Sequence, residues 1–316
     1  MDFRTIIPPL KGHQGLVGYS HSTVMLGSCF TDNVGMRLQN AMFDCNSNPC
    51  GTLYNPASIA STLLDILYER PYNENDLIEY NGLWHSFSHH SKFSGNDKAE
   101  VVRRINEATN GAIKSLSNAS VLIITFGTAW IYRLKEGNGV VANCHKMPAS
   151  TFNREMLSPT QIYGLWKKML RELSARYPEL KVIFTVSPIR HLSDGAHANQ
   201  LSKATLLEAV DRLVDEFPNQ AIYFPAYEIM MDDLRDYRFY AADMVHPSEV
   251  AVDYIYDNFC RSFMTDDTIA TSKLCEGLTR RLNHRNLHGT TPDRESIIAS
   301  YLEKYPALAS IVAGQR

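Results

Sequence analysis

The chain has 316 residues, 31 basic against 34 acidic side chains, and a formal net charge of −3. With 44% hydrophobic and 21% charged residues it is a chain that buries a core rather than one that stays disordered. It lacks the basic excess that wrapping a nucleic acid demands. Its most apolar stretch, Ala119 to Tyr132, spans 14 residues where a membrane helix needs about 20. We therefore expect neither nucleic acid nor membrane as a partner. Six cysteines without a C-x-x-C pair, an acid at position 2 and prolines at 8 and 9 fit reduced thiols in a cytoplasm.

In chain order, T-V-M-L (23–26) reads as a strand, followed by a short helix carrying Val34 and Leu38 and a second strand, A-M-F-D (41–44). A helix is expected over Pro56 to Tyr68. Three helix–strand repeats come next: Lys98 to Leu116 before V-L-I-I-T-F (121–126), Gln161 to Tyr177 before K-V-I-F-T-V (181–186), and Lys203 to Phe217 before A-I-Y-F (221–224). Strands that are apolar on both faces alternate with amphipathic helices when a parallel sheet is covered on both sides. The fold class is thus α/β, a three-layer α/β/α sandwich around five parallel strands. Connections at about 51–97 and 129–158 exceed ordinary loops and read as insertions. Residues 1–265 form the α/β domain, and 266–316 a helical extension (Glu276 to Leu282, Arg294 to Tyr305).

Ligands of open α/β sheets bind beyond the carboxyl ends of the strands, so chemistry is sought at those exits. In G-S-C-F-T-D-N (27–33), Ser28 stands at the first exit beside a glycine that permits close approach, and helix N–H groups that can hold an oxyanion follow it. The plainer alternative is that Ser28 and Thr31 cap the next helix. In A-A-D-M-V-H-P-S (241–248), Asp243 is placed to orient the His246 imidazole toward a nucleophile. Pro247 is suited to the first position of the following helix, Ser248 to Phe259.

A Ser at the first exit and D-x-x-H before the last core helix is the chain order of the SGNH (GDSL-like) hydrolases. Together with G-T-L-Y-N-P (51–56), H-S-F-S-H-H-S-K-F-S (85–94), F-G-T-A-W (126–130), N-C-H-K-M-P (143–148) and S-P-I-R-H (187–191), the G-S-C-F motif resembles the GSCFA family of that superfamily. The resemblance implies a flavodoxin-like SGNH fold, Ser28 as nucleophile with Asp243 and His246, and an oxyanion hole from the N–H groups of Ser28 and Gly51. Many SGNH enzymes carry Gly-x-Asn where this chain has Gly127-Thr128-Ala129. Thr128, Asn143 or His145 is left to supply the missing donor.

Cys29 is a rival nucleophile, although adjacent residues leaving a strand point apart and its expected place is inward, against the first helix. His85, His89 and His90 pose a metal question that a loop-like stretch answers against. Arg190, His191 or Lys203 can grip an anionic or polyhydroxylated group, or else pair with Asp194 or Asp243. Trp84, His85 and His89 are expected to touch substrate. The expected activity is a serine-dependent esterase or acyltransferase on a small-molecule or carbohydrate ester, without cofactor or metal. The alternative is a glycan- or metabolite-binding protein of the same fold.

Overall fold

The computed structural model describes residues 3–283 and 293–314. From the N-terminus come β1 (Ser22–Gly27), α1 (Cys29–Asn40), β2 (Cys45–Ser47) and α2 (Pro56–Leu67). A hairpin of β3 (Ile78–Tyr80) and β4 (Leu83–His85) precedes α3 (Lys98–Ser117) and β5 (Ala119–Phe126). Strands β6 (Trp130–Leu134), β7 (Val140–Val141) and β8 (Phe152–Met156) then build a small antiparallel sheet. After it run α4 (Pro159–Arg176), β9 (Lys181–Val186), α5 (Gly195–Glu216) and β10 (Ala221–Tyr223). The chain continues through α6 (Ala226–Glu228), α7 (Glu249–Phe263), α8 (Asp266–Asn283), α9 (Arg294–Lys304) and α10 (Ala309–Gly314).

The central sheet has the order β10-β9-β5-β1-β2, and every pairing is parallel. Its strands are apolar throughout because side chains alternate between two covered faces. Leu122, Ile124 and Phe126 of β5 face α2, α3, α4 and α5, whereas Val121 and Ile123 face α1 and α7. Trp166 of α4 is fully buried against Phe126 and Phe184 and gives its indole N–H to Pro56 O at 3.1 Å. The three-layer α/β/α class stands as expected. The first insertion holds α2 and the β3–β4 hairpin, and the second holds the β6–β8 sheet.

Three boundaries differ from the sequence reading. The second strand is Cys45–Ser47, not 41–44: Ala41 closes α1, Met42 has a φ of 62°, and Phe43 stacks on Tyr19. A half-buried edge strand tolerates the polar C-N-S, so no apolar signal marked it. Helix α5 begins at Gly195 rather than at the expected Lys203, and its first turns run largely exposed, so no apolar spacing marked them. Pro247 lies one residue before the cap of α7, which is Ser248.

Helices α8, α9 and α10 share a small cluster of Cys275, Leu278, Ile298, Tyr301, Leu308 and Val312, and α8 also packs on α1 and α7. Residues 284–292 and 315–316 of the expected extension lie outside the described residues. Among the described residues, no helix is long and apolar enough to cross a membrane. All six cysteines are free thiols.

Candidate active site

The first strand exit decides which side chain is presented. Gly27 pairs with Thr125, and a Cβ on Gly27 would meet Thr125 O at 2.4 Å, so glycine is required by the neighbouring backbone rather than by a substrate. Ser28 follows as the cap residue of α1 in extended conformation, and Cys29 opens the helix. The Ser28 side chain is turned into the protein beneath Gly127: it is buried, and its Oγ makes no hydrogen bond, not even to the helix it precedes. Cys29 takes the outward place, with Sγ 4.0 Å from His246 Nε2. The expectation for these two neighbours is thereby reversed. They do point apart, but Cys29 is the one that faces the histidine.

His246 is held by a tight turn. Met244 adopts a φ of 56°, Ala241 N–H donates to His246 O at 2.7 Å, and Ser248 N–H donates to Phe239 O at 2.8 Å. Asp243 Oδ1 accepts the N–H groups of Val245 and His246 at 2.9 Å each, and Oδ2 lies 2.6 Å from His246 Nδ1. Those two backbone donors, with the ring beside them, hold the Asp243 carboxyl down at about 2. A permanent carboxylate fixes Nδ1 as the protonated nitrogen and leaves Nε2 free to accept a proton from Cys29.

The thiol itself is pushed up by burial and by Asp32, while the N–H groups of Cys29 and Phe30 and the ammonium of Lys203 pull it down; burial wins. Those two N–H groups open α1, where no intrahelical acceptor exists, and they reach the Sγ. They are donors placed for a developing oxyanion.

The expected oxyanion pair is not free to serve. Gly51 N–H donates to Asn48 O at 2.8 Å, and Ser28 N–H donates to Thr125 O at 3.3 Å. Gly51 is needed for packing: φ is 89°, and a Cβ there would lie 2.2 Å from His90 Cβ. Thr128 N–H goes to Tyr54 O, and its hydroxyl meets Ser202 Oγ at 3.1 Å. His145 gives Nε2 to the carbonyl of Ser86 at 2.8 Å and lies among His85 and Phe87. Asn143 accepts the His145 N–H with Oδ1, which leaves its amide NH2 as an available donor on a residue lining the site.

Above Cys29 opens a cleft of about 650 Å³, walled by Tyr54, Trp130, Tyr132, Arg154, Arg190 and His191. The β6–β8 sheet supplies the aromatic wall. Arg154 of β8 lies over the rings of Trp130 and Tyr132, at 4.1 and 5.6 Å, and pairs with Asp194. Arg190, His191, Thr128 and Asn143 are thus brought to the cleft.

Four other expected contacts are not. Trp84 carries the Lys98 ammonium on its ring at 4.4 Å, at the start of α3. His85 is tied to Ser94 Oγ and Tyr80 O, and His89 is buried, bonded to Ser86 Oγ at 2.9 Å and lowered to about 4 by desolvation. Lys203 is fully buried, giving Nζ to Gly127 O and Ser187 O at 2.7 Å each, and burial lowers it to about 7. It braces two strand exits from below and cannot reach solvent.

The GSCFA family profile matches residues 22–259, more than two thirds of the chain and all of the central sheet. The chain belongs to the GSCFA family. Among solved structures it is similar to a chain designated a GDSL-like lipase from Parabacteroides merdae, at 14% identity and a TM-score of 0.37 over 78% of this chain and 97% of that one. It is also similar to an acetyl xylan esterase from the rumen bacterium Butyrivibrio proteoclasticus, at 9% identity and a TM-score of 0.38, covering 76% of this chain and 63% of that one. No curated protein matches the chain.

In this GSCFA chain the motif segments divide by role. Cys29, Tyr54, Trp130, Asn143 and Arg190 line the cleft, whereas the H-S-F-S-H-H segment knits the insertions together behind it. Asn55 and Tyr132 line the cleft as well; Asn55 caps α2 with its Oδ1, and its place before Pro56 was the available sequence signal. Among the described residues, no group of three or more His, Cys, Asp and Glu is gathered to hold a metal.

Proposed function

We propose that this protein is a cysteine-dependent acyl hydrolase or acyltransferase that acts on a small ester. The observation that carries the reading is the Cys29–His246–Asp243 line, with Sγ 4.0 Å from Nε2 and Nδ1 2.6 Å from Oδ2, at the floor of an open cleft. His246 Nε2 takes the thiol proton as Sγ bonds to the acyl carbonyl carbon. The resulting oxyanion sits at the N–H groups that open α1. As the C–O bond breaks, His246 returns the proton to the leaving alkoxide. Water or an acceptor hydroxyl then attacks the thioester, giving its proton to His246, and the thiol re-forms.

An acylated carbohydrate is the substrate class this cleft suits. Tyr54, Trp130 and Tyr132 offer aromatic surface, and Asn143 and Arg190 offer polar donors, in a volume typical of small-molecule sites. The test is hydrolysis of 4-nitrophenyl acetate by the full chain and two variants. Cys29→Ala should lose at least about 10²-fold in rate. Ser28→Ala should stay within a few-fold of the parent, because the Ser28 hydroxyl bonds to nothing. An inactive Ser28→Ala beside an active Cys29→Ala, or a fluorophosphonate adduct on Ser28, overturns the reading.

A further inference from the structure

Three side-chain nitrogens in the wall of the cleft are buried and lack any hydrogen-bond partner: Trp130 Nε1, Arg190 Nε and His191 Nε2. Indole and guanidinium nitrogens can only donate. Buried donors are almost always satisfied, so the orphaned indole and guanidinium donors on residues of one cleft wall ask for an acceptor that arrives with the ligand, and the His191 ring can join them as its Nε2–H tautomer.

The charges point the same way. Asp194 is engaged by Arg154, and Asp243 by His246 and two backbone N–H groups. Among the described residues, no carboxylate lies within ion-pair distance of Arg190. The phenols of Tyr227 and Tyr240 are its neighbours, and Tyr240 hydrogen-bonds it. Its backbone is fixed as well, since Arg190 N–H donates to Val245 O at 3.3 Å, one residue before His246. A half-buried guanidinium without a counter-charge is costly in a resting protein, and its rigid donor fork matches a planar or tetrahedral oxyanion. His191 adds no competing charge, since burial and the nearby Lys203 and His246 lower it to about 4 and leave it neutral.

We propose that Arg190, assisted by Trp130 Nε1 and by His191 as its Nε2–H tautomer, binds a carboxylate or phosphate group of the substrate beside Cys29, so that the esters this enzyme prefers are anionic. The proposal rests on Cys29 as nucleophile only for where the anion sits relative to the scissile bond. The anion site itself stands on the orphaned donors.

Two measurements separate these claims. Iodoacetate and iodoacetamide both alkylate a thiol by forming an S–C bond and expelling iodide, and they differ in a single carboxylate. Peptide mapping of Cys29 should give an iodoacetate-to-iodoacetamide rate ratio that falls about tenfold in Arg190→Gln. Arg190→Lys, which keeps the charge, should keep most of the ratio. An equal ratio in the parent and Arg190→Gln overturns the proposal.

The second measurement needs no reactivity. Millimolar succinate and inorganic phosphate are added separately to the parent and to Arg190→Gln, and the thermal midpoint is followed. An upshift with at least one anion, lost in the variant, supports the site, and the anion giving the larger shift names the group. No shift with either overturns it. Should Cys29 resist iodoacetamide while the anion shift persists, the nucleophile assignment falls and the anion site remains.

Discussion

Cys29 rests as a thiol rather than as half of an ion pair, because burial outweighs the helix N–H groups and Lys203 that favour its anion. Attack then requires His246 to take the proton as the S–C bond forms. The sign is fixed by this: a thiol pKa above the ordinary ~8.5 leaves the thiolate scarce at neutral pH and increasing as pH rises. Alkylation of Cys29 by iodoacetamide, read at its own peptide from pH 6 to 10, should keep climbing above pH ~8.5. A plateau already reached by pH 7 would show a preformed thiolate instead. Asp243 contributes no such limb, since its carboxyl is held at about 2 and stays ionised throughout that range. Its amide variant is a sharper probe. Asp243→Asn keeps an oxygen for the N–H groups of Val245 and His246 but turns an NH2 toward Nδ1, which favours the wrong tautomer. The rate should fall by as much as ~10⁴ with the thermal midpoint little changed. A variant within a few-fold of the parent removes Asp243 from the chemistry.

At the scale of elements, what was legible followed from burial. The strand runs 121–126 and 181–186 are apolar on both faces because helices cover both, and α2, α3 and α4 carry the 3.6-residue spacing that this covering demands. The edge strand β2 carries three polar or small residues and escaped notice for the same reason. The site was legible as a place but not as a residue. G-S-C-F marks the strand exit, yet which of two adjacent side chains faces the cleft depends on where α1 begins, and Ser28 as cap puts Cys29 outward. The histidines of the first insertion misled because aromatic and imidazole side chains also serve as packing and hydrogen-bonding material between insertions, as His85 and His145 do with ring centres 4.5 Å apart. The β6–β8 sheet is joined to the start of α5 by Arg154 and Asp194, both partly exposed. A pair of this kind contributes up to about 1 kcal/mol. Asp194→Ala should free Arg154 and loosen the aromatic wall, raising KM by up to about five-fold while kcat holds. A fall in kcat at constant KM would place the pair in the chemistry instead of in the wall.

Across the whole molecule, the working groups converge because β1, β5 and β9 end at one edge of the sheet, and the turn before α7 lays His246 over it. Beneath that edge, Lys203 reaches from α5 to the exits of β5 and β9, holding Gly127 O and Ser187 O. An ammonium sealed from water against two carbonyls is an expensive brace, and burial lowers it to about 7. An unfolded lysine titrates near ~10.4. Between those values the folded chain binds fewer protons than the unfolded one, so its stability rises with pH, by up to about 1.4 kcal/mol per unit. Below about 7 both states carry the proton, and the burial cost is present in full. Lys203→Met fills a similar volume and leaves two carbonyls unpaired, a cost that does not depend on pH. The difference between the two proteins therefore cancels the titrating groups that do not interact with Lys203 and leaves the lysine with its neighbours Cys29 and His191. From pH 7 to 9 the thermal midpoint of the parent should gain on that of Lys203→Met by roughly 5 °C, taking about 2 °C per kcal/mol for a chain of this size. Parallel curves would mean that Lys203 keeps its proton throughout, with its two carbonyls outweighing the desolvation, and that the site has a permanent positive charge beneath Cys29.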